Sequence, residues 1–441
     1  MSRSISLSNR ISISVLSEHA DREVTVAGWI HAIRRQKRLV FLILRDNFDQ
    51  LQVVYNRGSN ENIETLLAGL NEESVVAVRG RVKLDDRVKL NGVELILDEI
   101  EVLSAAEPEL PVRSDSALDK RLDWRFIDLR SERNLLIFKV QTAIEASLRN
   151  FWLRRGLIEI HSPKLMGAAS ESGAELFELP YFGGKAYLAQ SPQFYKQMAM
   201  ASGFAGVFEV GPVFRANPSF TSRHDTEFTS IDVEIAWICS HEDVMRLEEE
   251  FLRQMLLDIK PQYGDDIERV FGREIVVPET PFPRIPLSEA RQLIEEDGYE
   301  IPREQGDLDP EGERRLADYV KREFGHEFVF VTDYPASVRP FYHMRYDDRP
   351  DITKSFDLLW RGLEITTGAQ REHRFEILRK QVQEKGLSEA SLSHYLDFFR
   401  YGCPPHGGLG LGLTRLLMIT LNVPNVREVT FLYRGPNRLA P

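Results

Sequence analysis

Cysteine is almost absent: Cys239 and Cys403 are the two in 441 residues, far apart and without the spacing of a zinc site. That scarcity excludes a disulfide scaffold and a cysteine-ligated metal, and it fits a reducing compartment. Long apolar runs are missing too. No stretch approaches the ~18 consecutive apolar residues of a membrane span. The opening "MSRSISLSNRISISVLSEHA" has no continuous apolar segment, so the expected location is cytoplasmic, with no membrane partner. Repeats and low-complexity tracts do not occur. Positive charge is in deficit, with a net of −12, which speaks against wholesale nucleic-acid binding but leaves room for a local basic patch. One such patch, "HAIRRQKR" at 31–38, reads most simply as a solvated hairpin edge.

What is present is an ordinary globular composition, 42% apolar and 28% charged, over a length that suits two or three domains. Before residue 105 come five β-branched-rich runs, "EVTVAGWIHAI", "LVFLILRD", "LQVVYN", "SVVAVRGRVKL" and "VELILDEIEVL". A helix-like "NIETLLAGL" separates the third from the fourth, which is the order of an OB-fold barrel. The Pro-, Ser- and charge-rich stretch at 106–130 reads as a hinge. From 131 to 441, helices alternate with strands. "NLLIFKVQTAIEASLRNFWLRRG" has helical periodicity and stops on Gly156. The acidic, helix-rich residues 265–345 read as an insertion on the main sheet. The fold class expected is α+β.

Three segments carry chemistry. In "VFRANPSFTSRHDTEFTSIDVEIAWI", apolar Ile231, Val233, Ile235 and Trp237 alternate with Ser230, Asp232 and Glu234. One strand face is thus given to a core and the other offers carboxylates to a cleft. Arg215, Arg223 and His224 fall at the preceding loop, and guanidinium groups suit phosphate because their planar donors match its oxygens. "PPHGGLGLGLTRLLMITL" puts glycines at 407, 408, 410 and 412 ahead of Arg415 at a helix start, without the Lys-Ser/Thr of a P-loop. "SFDLLWRGLEITTGAQREH" sets Asp357 and Glu364 near the hydroxyl of Thr367, a reasonable Mg²⁺ site. Arginines and carboxylates so spread suggest a nucleoside triphosphate held on an antiparallel sheet.

These segments, in this order, resemble the class II aminoacyl-tRNA synthetases, and specifically the aspartyl type of archaeal and eukaryotic character. "RRGLIEIHSPKL", ending in Pro163, resembles the family's first motif, "VFRA…RHDTEF…DVE" the second and "GLGLGLTRL" the third. The likeness spans nearly the whole chain. It implies an antiparallel catalytic sheet flanked by helices, an anticodon-binding barrel, ATP and L-aspartate as substrates, Mg²⁺ with the ATP, tRNA(Asp) as acceptor and a homodimer. Arg215 and Arg415 would be catalytic, on the α- and γ-phosphates, with Asn217, Arg223, His224, Glu364 and Gly412 completing the ATP site. Asp357, Glu364 and Thr367 would organise the metal. "LAQSPQFYKQ" resembles the aspartyl signature: Lys196 and Arg371 would pair with the substrate side chain, Gln193, Asp232 and Glu171 would address its ammonium, and Thr367 would border it. "GAASESGAELF" at 167–177 resembles a loop that closes over the amino acid. In the barrel, Phe41 would stack an anticodon base while Gln52 and Glu94 read base edges.

The chain also departs from the family. Asn217 stands where relatives have Glu, and Thr414 where they have Glu before the motif-three arginine; "FLYRGPNRLAP" replaces a Phe-Pro-Arg-Asp ending. His31 occupies a position that is Trp in relatives strict for one tRNA, while Lys89 is kept at another discriminating position. That mixed pair leans toward charging both tRNA(Asp) and tRNA(Asn). Alternatives are an asparaginyl enzyme, which lacks a lysine at position 196, and a non-catalytic or tRNA-independent synthetase paralogue.

Overall fold

The computed structural model describes residues 5–47, 49–167, 175–218, 221–302 and 306–441. The chain divides into two compact units, Met1–Leu135 and Leu136–Pro441.

In the first unit, β1 (Glu23–Arg35), β2 (Leu39–Asp46), β3 (Asp49–Asn56), β4 (Val75–Leu84) and β5 (Val93–Ser104) close a barrel in the order β1-β2-β3-β5-β4. Alternate side chains point inward, and Val26, Ile30, Leu42, Leu44, Val53, Val78 and Leu95 fill the interior. Helix α1 (Glu61–Ala68) lies between β3 and β4, as the sequence predicts. Asn60 caps it by accepting from the Asn62 and Ile63 amides, a contact worth about 1 kcal/mol. The basic patch at 31–38 is the exposed β1–β2 hairpin. The expected hinge is not bare chain: it carries two short helices, α2 (Leu118–Asp123) and α3 (Arg125–Asp128), with Arg121 and Arg125 both bonded to Asp128.

The second unit takes in most of α4 (Glu132–Arg154), which stops as the chain turns at Gly156, whose φ of +77° a side chain would resist. Then come β6 (Ile158–Glu159), β7 (Leu165–Met166), β8 (Glu178–Tyr181), β9 (Gly184–Leu188), α5 (Gln193–Ala201), β10 (Gly206–Phe214), β11 (Glu227–Ala236) and α6 (His241–Phe271). A Ser240–Asp243 capping box starts α6, and Phe251 packs edge-on against Trp152 of α4. The remainder is β12 (Arg284–Pro286), α7 (Leu287–Glu296), α8 (Pro310–Phe324), β13 (Phe328–Thr332), β14 (Ser355–Trp360), β15 (Leu363–Gln370), α9 (Phe375–Glu384), α10 (Ser393–Arg400), β16 (His406–Gly412), α11 (Leu413–Leu421) and α12 (Val426–Val429).

Eight of these strands form one sheet, ordered β12-β13-β14-β15-β16-β11-β10-β6. Its inner pairs are antiparallel, but β12–β13 and β10–β6 are parallel, so the sheet is mixed at both edges. The stretch read as an insertion at 265–345 carries more than helices: it supplies the strands β12 and β13 at one edge of the main sheet, with α7 and α8 between them. β12 is too short to show a period, and the fully buried β13 shows no alternation. Trp237 is a correction. It lies past the end of β11 with φ +64° and is 75% exposed, because the strand ends at Ala236 and the chain turns. Among the described residues no helix is long and apolar enough to cross a membrane.

Candidate active site

β10 and β11 form the hairpin read from the sequence, with Phe214 opposite Glu227, and the Arg215 amide closes its loop onto the Thr226 carbonyl. β16 pairs β11 on one side and β15 on the other, so the glycine run lies in the middle of the sheet. These strands, with α5 and the start of α11, surround a cavity of about 360 Å³. Its lining residues come from positions as far apart in the chain as 175 and 415.

One end of the cavity holds buried ion pairs. The Lys196 ammonium donates to Asp232 Oδ1 at 2.8 Å and to the Leu409 carbonyl at 3.0 Å, and Glu234 Oε2 lies 3.5 Å away. Arg371 donates from Nε to Glu234 Oε1 at 3.0 Å and from Nη2 to Glu234 Oε2 at 3.3 Å and the Gly408 carbonyl at 2.9 Å. Its Nη1 lies 3.1 Å from His343 Nε2. A guanidinium cannot accept, so His343 Nε2 does, and the ring hydrogen sits on Nδ1. Burial, with Arg371 beside it, keeps this imidazole well below its ordinary range and therefore neutral. Of the five guanidinium N–H groups, four are thus committed and one on Nη1 remains. Lys196 likewise keeps one. Gly408 is needed here, since a Cβ would lie 2.1 Å from the Val233 carbonyl and 2.2 Å from Glu234 Oε2.

The other end is looser. Arg415, at the first turn of α11, donates to the Glu364 carbonyl at 3.0 Å and stands 3.4 Å from its carboxylate. Arg223 pairs with Glu313 of α8 at 2.8 Å. Burial pushes the Glu313 carboxyl up to about 7, Glu364 adding to the rise and Arg223 opposing it. Arg215 lies over the Phe228 ring, 5.5 Å from its centroid. Burial and Arg415 hold the His224 imidazole below its ordinary value. Asp225 is buried with Oδ2 unpartnered; burial raises its carboxyl to about 7 against the pull of Arg415 and the Thr414 hydroxyl. An acid therefore does stand at Thr414, supplied by position 225.

Of the residues singled out in the sequence, Gln193, Lys196, Arg215, Asn217, Arg223, His224, Asp232, Glu364, Thr367, Arg371, Gly412 and Arg415 all line this cavity. Glu171 and most of the 167–177 loop lie outside the described residues. Asp357 is not on the wall: it sits behind Thr367, opposite it in the β14–β15 register, and is tied to Arg339. Its Oδ1 is buried without a partner, and burial and Glu364 raise its carboxyl while Arg339 opposes. Two neighbouring carboxylates beside a hydroxyl are a donor set that a divalent cation fits. Glu234, read as facing the cleft, is instead fully buried under Arg371. Phe228, Asp225, Glu313 and His343 were not singled out. Phe228 shares the parity of Ser230 and Asp232, so the strand alternation contained it; the others arrive by long-range contacts with no local signature.

In the barrel, the five sequence-derived residues gather at one surface cavity of about 690 Å³, lined by His31, Phe41, Gln52, Lys89 and Glu94 among others. Gln52 faces Glu94 across the parallel β3–β5 pair and donates to it at 3.1 Å, and Lys83 donates to the other carboxylate oxygen at 2.9 Å. Phe41 is half-buried rather than part of the barrel interior.

The family profile described as "tRNA synthetases class II (D, K and N)" matches residues 117–434, and "OB-fold nucleic acid binding domain" matches 24–103. The chain is 41% identical over 440 residues to the aspartate–tRNA(Asp) ligase of Pyrococcus abyssi, covering 99% of this chain and all of that one. It is 42% identical over 442 residues to the aspartate–tRNA(Asp/Asn) ligase of Methanopyrus kandleri, with the same coverage. Among solved structures, the asparaginyl-tRNA synthetase of Pyrococcus horikoshii with asparaginyl-adenylate superposes with a TM-score of 0.90 at 32% identity, over 96% of this chain and 97% of that one.

Proposed function

The chain belongs to the class II tRNA synthetases of the D, K and N group, and we propose that it activates L-aspartate with ATP to aspartyl-adenylate and transfers the aspartyl group to the 3′ end of tRNA(Asp). The observation that carries the choice of amino acid is the donor count at Arg371 and Lys196. Each retains one N–H, and both can be satisfied by the two oxygens of a side-chain carboxylate. An asparagine amide would set its own NH₂ against one of the two cations, donor against donor, a costly mismatch in a buried site.

Chemistry follows from placement. The α-carboxylate of aspartate is already a nucleophile, so no general base is needed; it attacks the α-phosphorus and pyrophosphate leaves. Arg215 stabilises charge on the α-phosphate and Arg415 holds the far phosphates, both acting by preorganised charge. Phe228 offers a flat apolar face to the adenine, and Asn217 an acceptor where relatives have Glu. Glu364 and Thr367, backed by Asp357, would hold Mg²⁺, which supplies countercharge to the phosphates when bound. The barrel cavity would take the anticodon by stacking on Phe41, by hydrogen bonds from Gln52 and Lys89 and by hydrogen bonds that Glu94 accepts. His31 in that cavity supports charging of tRNA(Asn) as well. The first-motif segment, α4 to Pro163, would form a homodimer interface.

The test is aspartate-dependent ATP–pyrophosphate exchange, followed by charging of tRNA(Asp) and tRNA(Asn) transcripts. Exchange with aspartate and not asparagine, then aspartate on both tRNAs, is expected. Charging of tRNA(Asp) alone would make the enzyme strict, and exchange with asparagine would overturn the donor argument.

A further inference from the structure

Gln193 and Gln197 stand one helical turn apart on α5, so their side chains share a face. Gln193 lines the cavity, and Gln197 is fully buried behind it. An amide's direction is set by its neighbours, and here the chain of neighbours starts from a group with no choice. The Pro404 carbonyl can only accept, so His406 Nδ1, 2.8 Å away, carries a hydrogen. His406 is buried against the Phe399 ring. Burial lowers its imidazole; Glu234 and the Pro404 carbonyl pull upward, and Arg371 and His373 add to the fall. A neutral ring with its hydrogen on Nδ1 has an acceptor at Nε2, and Gln197 Nε2 donates to it at 3.0 Å. Gln197 Oε1 is thereby turned the other way. It accepts from the Tyr395 hydroxyl at 3.0 Å and from Gln193 Nε2 at 2.9 Å. One N–H of the Gln193 NH₂ is committed to Gln197, which turns the NH₂ inward and leaves Oε1 on the cavity side of the amide.

We propose that Gln197 and His406 are positioning residues that lock the Gln193 amide with its carbonyl oxygen toward the substrate, so that the cavity recognises an amino acid by its ammonium group. This rests on the reading of Gln193 as an ammonium partner. With the relay reversed, Gln193 would present an NH₂ to a cation, donor against donor. The relay acts on the ammonium alone and gives nothing to a substrate without one.

Succinate, which is aspartate without its amino group, separates the cases. In pyrophosphate exchange, Gln197→Leu should raise KM for aspartate about tenfold or more, the scale of a lost charged hydrogen bond. KM for ATP and the inhibition constant of succinate should stay within about twofold. Gln197→Glu keeps an acceptor toward Gln193 and should restore most of the aspartate KM. Tyr395→Phe, which removes one of the two donors to Gln197 Oε1, should shift aspartate alone and by less, and it serves if Gln197→Leu does not fold. Parallel weakening of aspartate and succinate would overturn the relay in favour of a packing role, as would an unchanged aspartate KM in folded Gln197→Leu. If Gln193→Ala leaves the preference for aspartate over succinate intact, the ammonium assignment itself falls.

Discussion

The two ends of the catalytic cavity are built differently. At the end proposed to take the amino acid, the side chains of Lys196, Arg371, Asp232 and Glu234 are 5% exposed or less, and each is paired. At the end proposed to take the phosphates, Arg415 and Glu364 are 26% and 34% exposed and 3.4 Å apart, and Arg223 and Glu313 are 23% and 12% exposed. A small substrate that differs from its rival by one oxygen needs donors fixed in direction, which buried pairs provide. A triphosphate carries charge enough to draw cations from partly solvated pairs. The difference teaches where substitutions act: at one end on folding and specificity together, at the other on nucleotide kinetics alone.

The largest effect should come from Arg371→Leu. It leaves the buried Glu234 with only the Lys196 ammonium, 3.5 Å away, in place of two guanidinium hydrogen bonds, so stability should fall by about 3–5 kcal/mol in urea titration, and aspartate-dependent exchange should drop by about 10³-fold or more. Arg415→Ala breaks the comparison from the other side: exchange should fall by about 10²-fold, with the urea midpoint nearly unchanged. If the two variants lose stability alike, the contrast between the ends is wrong. The glycines give a third, smaller test. Gly408→Ala drives a methyl into Val233 and Glu234 and should cost about 1–3 kcal/mol, whereas a Cβ at Gly412 meets nothing nearer than 3.9 Å and should be tolerated in the fold.

Asp225 sharpens the comparison by pH. Its carboxyl titrates near 7 in the folded chain against an ordinary 3.8, so the folded state binds the extra proton. The stability this gives is complete below pH 3.8 and is lost as pH rises through 7. Asp225→Asn should therefore lose less stability than the parent between pH 5 and pH 8, measured by urea midpoints. Smallest of all, Asn217→Glu should lower KM for ATP by about two- to fivefold, the gain of a charged over a neutral acceptor.

The barrel was legible in the sequence because short alternating strands and a single intervening helix leave a strong local pattern. The cavity was legible where its residues sit in motifs: Arg215, Asp232, Arg371 and Arg415 come from segments whose order identifies them. What escaped was the support behind them. His343 holds Arg371 from 28 positions away, Glu313 reaches Arg223 across 90, and His406 meets Gln197 across 209. No window on the sequence spans such distances. β12 and β13 escaped for a different reason, since three residues, or five that are all buried, carry no period to read.

β16 is the last of the described strands to be synthesised, yet it lies in the interior of the sheet, between β11 and β15. While the chain emerges from the ribosome, the barrel strands are complete by Ser104, but β11 must wait some 170 residues for its neighbour. Until His406–Gly412 arrives, the edges of β11 and β15 are open strands, and Arg371 lacks the Gly408 carbonyl that helps hold it. The enzyme is thus made with its adenylating centre closed last. A ribosome that stalls short of residue 406 releases a chain with a finished anticodon-binding barrel and no means of activating an amino acid.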